Sequence, residues 1–322
     1  MRKGCALFAA FVSLLIWAVP SLAQSWPQRP IRLIVPFPAG GSADMFARLI
    51  APKMAATLGQ PVVVENRGGA GGVLGIDLVA KASPDGYTTG LSGTGAITIQ
   101  PHLTKIPFSP TQDLAYLSMV ARVTNIMTVN AKLGITSVAG LISAARQKPG
   151  VLNFGSAGSG STLHLAGELL KQEAKIDIVH IPYKGVAPAV TDLIAGQVQI
   201  LIANANGVMP HIKSGAITAL AVTSPTRTAS LPNVPSVVEV GFPSLVAEDV
   251  YGLVAPVKTG QDVQRALSAA VVSAVRSPDV VEKFAEQGAV ATSSTSEEYR
   301  QWMLAESAKW GRVIKQGNIT AD

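Results

Sequence analysis

Cysteine is nearly missing from this chain: Cys5 is the only one in 322 residues. It stands near the amino terminus, so the remainder can form no disulfide, no thiolate metal site and no thiol nucleophile. Histidine is sparse too; His102, His164, His180 and His211 are scattered, with no HExxH spacing and no grouped acids. Zinc binding and histidine-based catalysis lack their ingredients, and no metal or other cofactor is expected. Aromatics make up only 5% of the residues, and adjacent basic residues occur once, at Arg2-Lys3. Nucleic-acid binders cluster their charge and interleave aromatics. The net charge of +6 is therefore ordinary solvated surface, and no nucleic-acid partner is expected. Beyond residue 19 no apolar run approaches bilayer-spanning length.

What is present begins with an export address. Arg2 and Lys3 precede an apolar stretch over residues 6–19, Pro20 breaks it, and Ser21-Leu22-Ala23 supplies the small residues that a signal peptidase reads. Cleavage is expected after Ala23, which makes 1–23 a signal peptide and places the mature chain in the periplasm. What remains is roughly 300 residues, enough for two domains of ordinary size.

The mature part alternates short β-branched runs with amphipathic helical stretches, the pattern of an α/β fold. Strands are predicted over residues 31–35, 61–65 and 87–91, with helices over 42–58 and up to about 82. A second series begins near Asn125. Its strands are predicted at 126–129, 152–154, 176–181, 198–202 and 217–222, its helices at 137–147, 163–173 and 186–195. Residues 224–247 look like an irregular crossing segment, and helices are predicted over 262–275, 279–287 and 296–315. The tail helices have no sheet of their own. The first lobe is therefore expected to be discontinuous, 24–124 plus 248–322, with 125–247 as the second.

Three glycine-rich loops share one design: residues 36–44 (PFPAGGSAD), 66–72 (NRGGAGG) and 155–162 (GSAGSGST) each end a strand and open a helix. A helix start offers unpaired N–H groups and partial positive charge, glycine lets a ligand approach them, and Ser or Thr hydroxyls add donors. Three such starts on one cleft could hold a carboxylate without an arginine. Taken singly, each loop could equally be a tight turn before a capped helix, with Ser42, Asp44, Ser161 and Thr162 as caps. Enzyme motifs fail letter by letter. Leu74 stands where a dinucleotide fingerprint needs its third glycine, and Ser161 where a phosphate loop needs lysine. No serine has glycines at both −2 and +2, so the hydrolase elbow is missing. No enzymatic activity is expected.

Several segments carry a resemblance: residues 36–44, then Glu65-Asn66-Arg67-Gly68-Gly69-Ala70-Gly71-Gly72 and Asp85-Gly86-Tyr87. Gly155-Ser156-Ala157-Gly158 with His164-Leu165-Ala166, Pro182-Tyr183-Lys184-Gly185, and Pro210-His211-Ile212-Lys213-Ser214-Gly215 with Leu220-Ala221-Val222-Thr223-Ser224 continue it. In order and spacing, over essentially the whole mature chain, this resembles the Bug family of extracytoplasmic solute receptors, the binding components associated with tripartite tricarboxylate transporters. The resemblance implies a periplasmic-binding-protein fold of type 2 character, two α/β lobes joined by crossing strands with ligand in the cleft. It implies a monomer that takes a small carboxylate and hands it to membrane permease subunits; a membrane sensor is the alternative partner.

Carried over by position, the first lobe's contacts would be Phe37, Ala39, Gly40, Ser42, Asn66, Gly69 and Ser92. The second lobe's would be Ser156, Gly158, Ser161, Thr162, Tyr183 and, after Ile202, Asn204. Two departures stand out. Relatives often carry an acid just after the strand ending at Ile202, whereas this chain has Ala203-Asn204-Ala205-Asn206. An amide there cannot neutralise a ligand ammonium, which tilts the expectation toward a non-amino organic or aromatic acid. Tyr251-Gly252-Leu253 stands where many relatives have Trp-x-Gly.

Overall fold

The first β-branched run, Ile31–Val35 (β1), hydrogen-bonds in parallel to Val62–Asn66 (β2) on one side and Thr88–Gly93 (β3) on the other. Helices Ser42–Leu58 (α1) and Val73–Ala80 (α2) make the crossovers. This is a computed structural model that describes residues 26–320; the predicted signal peptide and its cleavage position lie outside the described residues. After β3 a π-helical turn, Gly95–Ile99, runs into the short helix Gln100–Leu103 (α3).

Sequence periodicity missed the element that organises the sheet. Leu114–Asn130 (β4) is one strand of 17 residues, buried almost throughout. Its first part pairs antiparallel with Glu248–Pro256 (β9), and its last part with Ile200–Asn204 (β7) and Ile217–Val222 (β8). Strands Asn153–Ser156 (β5) and Val179–Pro182 (β6) extend the sheet in parallel beyond β7, giving the order β2-β1-β3-β9-β4-β7-β5-β6. Short Ala289–Ala291 (β10) adds to the middle of β4, at residues 121–123. Helices Val138–Gln147 (α4), Thr162–Ala174 (α5), Val186–Ala195 (α6) and Ala205–Lys213 (α7) accompany the second half.

The apolar faces collect into distinct cores. Leu33, Phe46, Ile50, Leu253, Leu267, Val271 and Phe284 pack together under β1 and β9. The last three of these come from Gln261–Val275 (α8) and Pro278–Glu286 (α9), with Leu267 and Val271 on α8 and Phe284 on α9. Phe154, Leu165, Leu170, Ile200 and Ile202 form another core around β5 and β7. Helix Ser296–Gly317 (α10) serves both ends of the sheet. Its Tyr299 and Met303 pack with Ile34, Tyr116 and Val254, while Trp310, Val313 and Ile314 pack with Phe154 and its neighbours. A capping box between Thr295 and Glu298 starts α10, as Ser/Thr followed three residues later by Glu favours.

Candidate functional site

Where β1 ends, Pro36 and Pro38 stop the strand and Gly40 turns the chain with φ at 84°. No atom lies within 4 Å of where its Cβ would be, so glycine is needed there for the backbone conformation rather than for room. The N-cap of α1 is Gly41, not Ser42 or Asp44. The Asp44 carboxylate instead reaches back to accept the Gly40 N–H at 3.0 Å and the Arg48 Nε–H at 3.0 Å. Hydrogen bonding from Arg48, helped by the Gly40 amide, holds this carboxyl at about 2. Part of the positive end of α1 is thus met by the chain's own anion. Ser42 turns its hydroxyl away to accept from Asn206 Nδ2 at 2.9 Å, a bond that joins the first glycine loop to α7.

The side chains around this loop fall into two groups. The Phe37 ring is partly exposed and sits where a Cβ on Gly72 or Gly93 would come within 3.3 Å of it; Tyr251 meets it edge-on at 6.4 Å. Ala39, Gly40 and Gly69 are exposed at the loop rims. Asn66 and Ser92, by contrast, are occupied internally. Asn66 donates to the Phe37 carbonyl at 3.1 Å and accepts from Arg48 at 3.1 Å, stapling the first two loops together. Ser92 is fully buried, donating to the Gly252 carbonyl at 3.1 Å and bonded to Tyr299 Oη at 2.7 Å. Arg67 is an exposed rim residue paired with Glu65 at 3.3 Å.

In the third loop Ser161 is the N-cap of α5, accepting the His164 N–H at 3.2 Å and donating to the Gly158 carbonyl at 2.7 Å. Thr162 is the first helical residue rather than the cap, and it is buried. Ser156 is buried as well; its Oγ accepts the Gly158 N–H at 3.1 Å and lies 2.7 Å from His180 Nε2. Gly158, at φ 129°, leaves space that a Cβ would take 3.2 Å from the Tyr183 carbonyl. The Tyr183 hydroxyl donates to Asp192 at 2.7 Å, and burial together with that carboxylate pushes its phenol up to about 12.

The first loop and the end of β7 enclose a cavity of about 560 Å³. Gly40, Gly41 and Ser42 line one side; Asn204, Asn206, Gly207 and His211 line the other, with Val186 and Val190 of α6 as apolar wall. Gly40, Ser42 and Asn204, three of the expected contacts, line this one cavity, together with Asn206 from the stretch after Ile202 and with His211. One more residue escaped notice. Asp249, on β9, stands beside Asn204, whose Nδ2 donates to Asp249 Oδ2 at 2.8 Å. No spacing rule links residues 45 positions apart; only the pairing of β4 with both β7 and β9 brings them together.

Among the described residues no group of three or more His, Cys, Asp or Glu could hold a metal, and no helix is long and apolar enough to cross a membrane. Residues 46–319 match the tripartite tricarboxylate transporter family receptor. BugT of Bordetella pertussis is 38% identical over 98% of both chains. Among solved structures, a protein of R. palustris determined with adipate is 35% identical, with a TM-score of 0.81 over 92% of this chain and 100% of that one. MatC from Rhodopseudomonas palustris with bound malate is 29% identical, with a TM-score of 0.78 over 90% of this chain and 100% of MatC. The family match and these relatives, covering nearly all that was described above, place the chain in the TctC family of tripartite tricarboxylate transporter receptors, the solute-binding proteins of TctC and Bug type.

Proposed function

We propose that this receptor works in the periplasm, capturing a small organic or aromatic carboxylate and passing it unchanged to the permease subunits of a tripartite tricarboxylate transporter. The observation that carries this reading is the cavity between residues 40–42 and 204–211, bridged by the Asn206–Ser42 bond. Its walls follow β1 and β7, which lie on opposite sides of β9 and β4 in the strand order, so a molecule inside would touch elements that β4, β9 and α10 tie together from behind. Lobes of 24–124 plus 248–322 and of 125–247 would then close on the ligand about β4 and β9. The exposed backbone of Ala39 and Gly69 would supply N–H donors, and Gly40 would keep the loop open to close approach while its own N–H stays on Asp44. Phe37 would be an apolar platform, and the loop closed by Ser156, Gly158, Ser161, Thr162 and Tyr183 would add donors from the second lobe. Asn66 and Ser92 would act by holding the first two loops in shape.

Binding without chemistry is the reading's central claim. A carboxylate at a hundredfold excess over its dissociation constant should add about 2.7 kcal/mol of stability, visible as a raised melting temperature in a thermal-shift panel. The tightest binder should be recovered intact after prolonged incubation with the protein. Turnover of that compound at an enzymatic rate, or a panel of carboxylates in which none shifts the melting temperature, would refute the proposal. Loss of carboxylate uptake on deleting this protein, with permease subunits intact, would test the delivery step.

A further inference from the structure

Three of the four histidines are committed to the chain itself. His102 Nε2 lies 2.9 Å from Ser307 Oγ. The rings of His164 and His180 stack with 3.8 Å between centroids; His164 Nδ1 accepts the Gly160 N–H at 3.1 Å, and His180 Nε2 meets Ser156 Oγ at 2.7 Å. His211 differs. Its carbonyl takes the Ser214 hydroxyl at 3.1 Å, but its half-buried ring has no hydrogen bond or ion pair among the described residues. Among the residues that line the cavity between the first glycine loop and α7, His211 is the only one with a titratable side chain.

The geometry of α7 sets the imidazole on the cavity side. Gly207 and His211 are four apart and so share a face of the helix, and both line the cavity. A helical side chain lies back over the turn before it, here the turn of Gly207. Glycine at that position also lets α6 close in, since a Cβ would stand 2.7 Å from Val186 Cγ1. Val186, Val190 and Ile194, each one turn further along α6, continue the wall as an apolar stripe. The cavity thus has the backbone of Gly41 and Ser42 at one side, an apolar flank along α6, and an imidazole on α7.

No charged side chain of the surrounding elements is paired with that imidazole. Helix α7 packs on α6, β4, β7 and β8. Their charged side chains are Asp192, which takes the Tyr183 hydroxyl at 2.7 Å, and Arg122, 3.5 Å from Glu248. Tyr116 of β4 donates its hydroxyl to the Pro110 carbonyl. Lys213, two residues further on α7, is exposed. In the first glycine loop Asp44 is bonded to Arg48. None of these lines the cavity. Imidazole is the side chain that changes charge near neutrality, and an anion beside it favours the protonated form. The last turn of a helix favours a cation as well, and His211 stands in the last turn of α7.

We propose that His211 receives the second carboxylate of a dicarboxylate as its imidazolium, so that the receptor takes up a proton together with a dianionic ligand. The other carboxylate then lies against Gly41 and Ser42, with the carbon chain along the α6 stripe. This rests on the carboxylate-receptor reading and names the residue that selects within that class. Proton and dianion favour each other by linkage, so dicarboxylate affinity falls as pH rises.

The test is titration calorimetry with pairs that share a chain length and differ in the second carboxylate: adipate and hexanoate, glutarate and pentanoate, succinate and butyrate. Each is run in buffers of low and high ionisation enthalpy, which counts the protons taken up. A dicarboxylate that binds should take up a fraction of a proton near neutrality and weaken at least about threefold from about pH 6.5 to about pH 8; its monoacid should do neither. His211→Gln should bind that dicarboxylate about tenfold more weakly at the lower pH, with the proton uptake and the pH dependence gone and the monoacid unchanged. His211→Lys, which keeps a fixed positive charge, should restore tight binding without proton uptake. Should His211→Gln melt early, His211→Lys and the wild-type proton count decide. Equal proton uptake in wild type and variants, or none in wild type, would overturn the role of His211 and leave the carboxylate receptor standing. Binding by none of the pairs would also overturn it, and the receptor reading would then be judged by the wider thermal-shift panel.

Discussion

Gly40 and Asp44 show how a single residue shapes the first glycine loop. At Gly40 the left-handed backbone has open space around it, so a substitution is opposed by conformation alone. Gly40→Val should therefore cost about 1–2 kcal/mol of loop strain and displace the loop backbone that lines the cavity. Calorimetry should find carboxylate binding abolished, with only a modest drop in melting temperature. Arg67→Ala makes the contrast: an exposed ion pair contributes about 0–1 kcal/mol, and affinity should barely change. Loss of binding in Arg67→Ala with normal binding in Gly40→Val would reverse the roles assigned to backbone and arginine. Asp44 predicts a pH dependence. Its carboxyl is held at about 2, below its ordinary 3.8. A depressed folded-state value stabilises fully above the unfolded value and is lost as pH falls through the folded one. Melting temperature should thus decline between about pH 4 and pH 2, and Asp44→Asn should flatten that part of the profile. An unchanged slope in the variant would show that other carboxylates govern acid unfolding.

At the scale of elements, the sequence marks boundaries where turn chemistry is local and misses them where pairing is remote. Glycine turns after β1, β2 and β5 stand where the strands end, and α5 begins one residue after its Ser161 cap, as Ser before an apolar run suggests. The tail helices were equally legible from their 3.6-residue pattern. Strand β4 is legible in the sequence only from residue 126 on, since a strand buried on both faces has no alternation to betray it. Strand β9 was known only by the Tyr251 departure, and with it Asp249 stayed hidden. The reach of α10 into both cores was hidden too, because its apolar stripe does not say what it packs against. Two substitutions in α5 separate local from tertiary causes. Ser161→Ala removes the cap and should cost about 1 kcal/mol. Gly167→Ala should gain about 1 kcal/mol by helix propensity alone, yet a Cβ there overlaps the Phe154 ring. Urea unfolding should find Gly167→Ala the less stable of the two; a stabilised variant would mean that α5 moves off β5 at little cost.

Across the whole molecule, closure would be a competition between a few bonds over the cavity and the stiffness of what crosses behind it. Strands β4 and β9 and helix α10 all run between the two ends of the sheet, with Trp310 and Tyr299 anchoring α10 in different cores. Facing them, Asn206 Nδ2 donates to Ser42 Oγ at 2.9 Å beside the cavity. A neutral hydrogen bond contributes about 0.5–1.5 kcal/mol net. If the Ser42–Asn206 bond belongs to the closed, ligand-holding form, removing it should raise the dissociation constant about two- to tenfold by lowering the closed population. Ser42→Ala and Asn206→Ala delete the two ends of one bond, so the double variant should bind about as weakly as either single variant. That non-additivity distinguishes a shared bond from two separate ligand contacts, whose losses would add. Small-angle scattering gives an independent reading: with saturating ligand all three variants should contract to the wild-type radius of gyration, and at sub-saturating ligand they should remain more extended. Additive losses in affinity with wild-type scattering throughout would make Ser42 and Asn206 direct ligand contacts, and closure would then rest on other contacts.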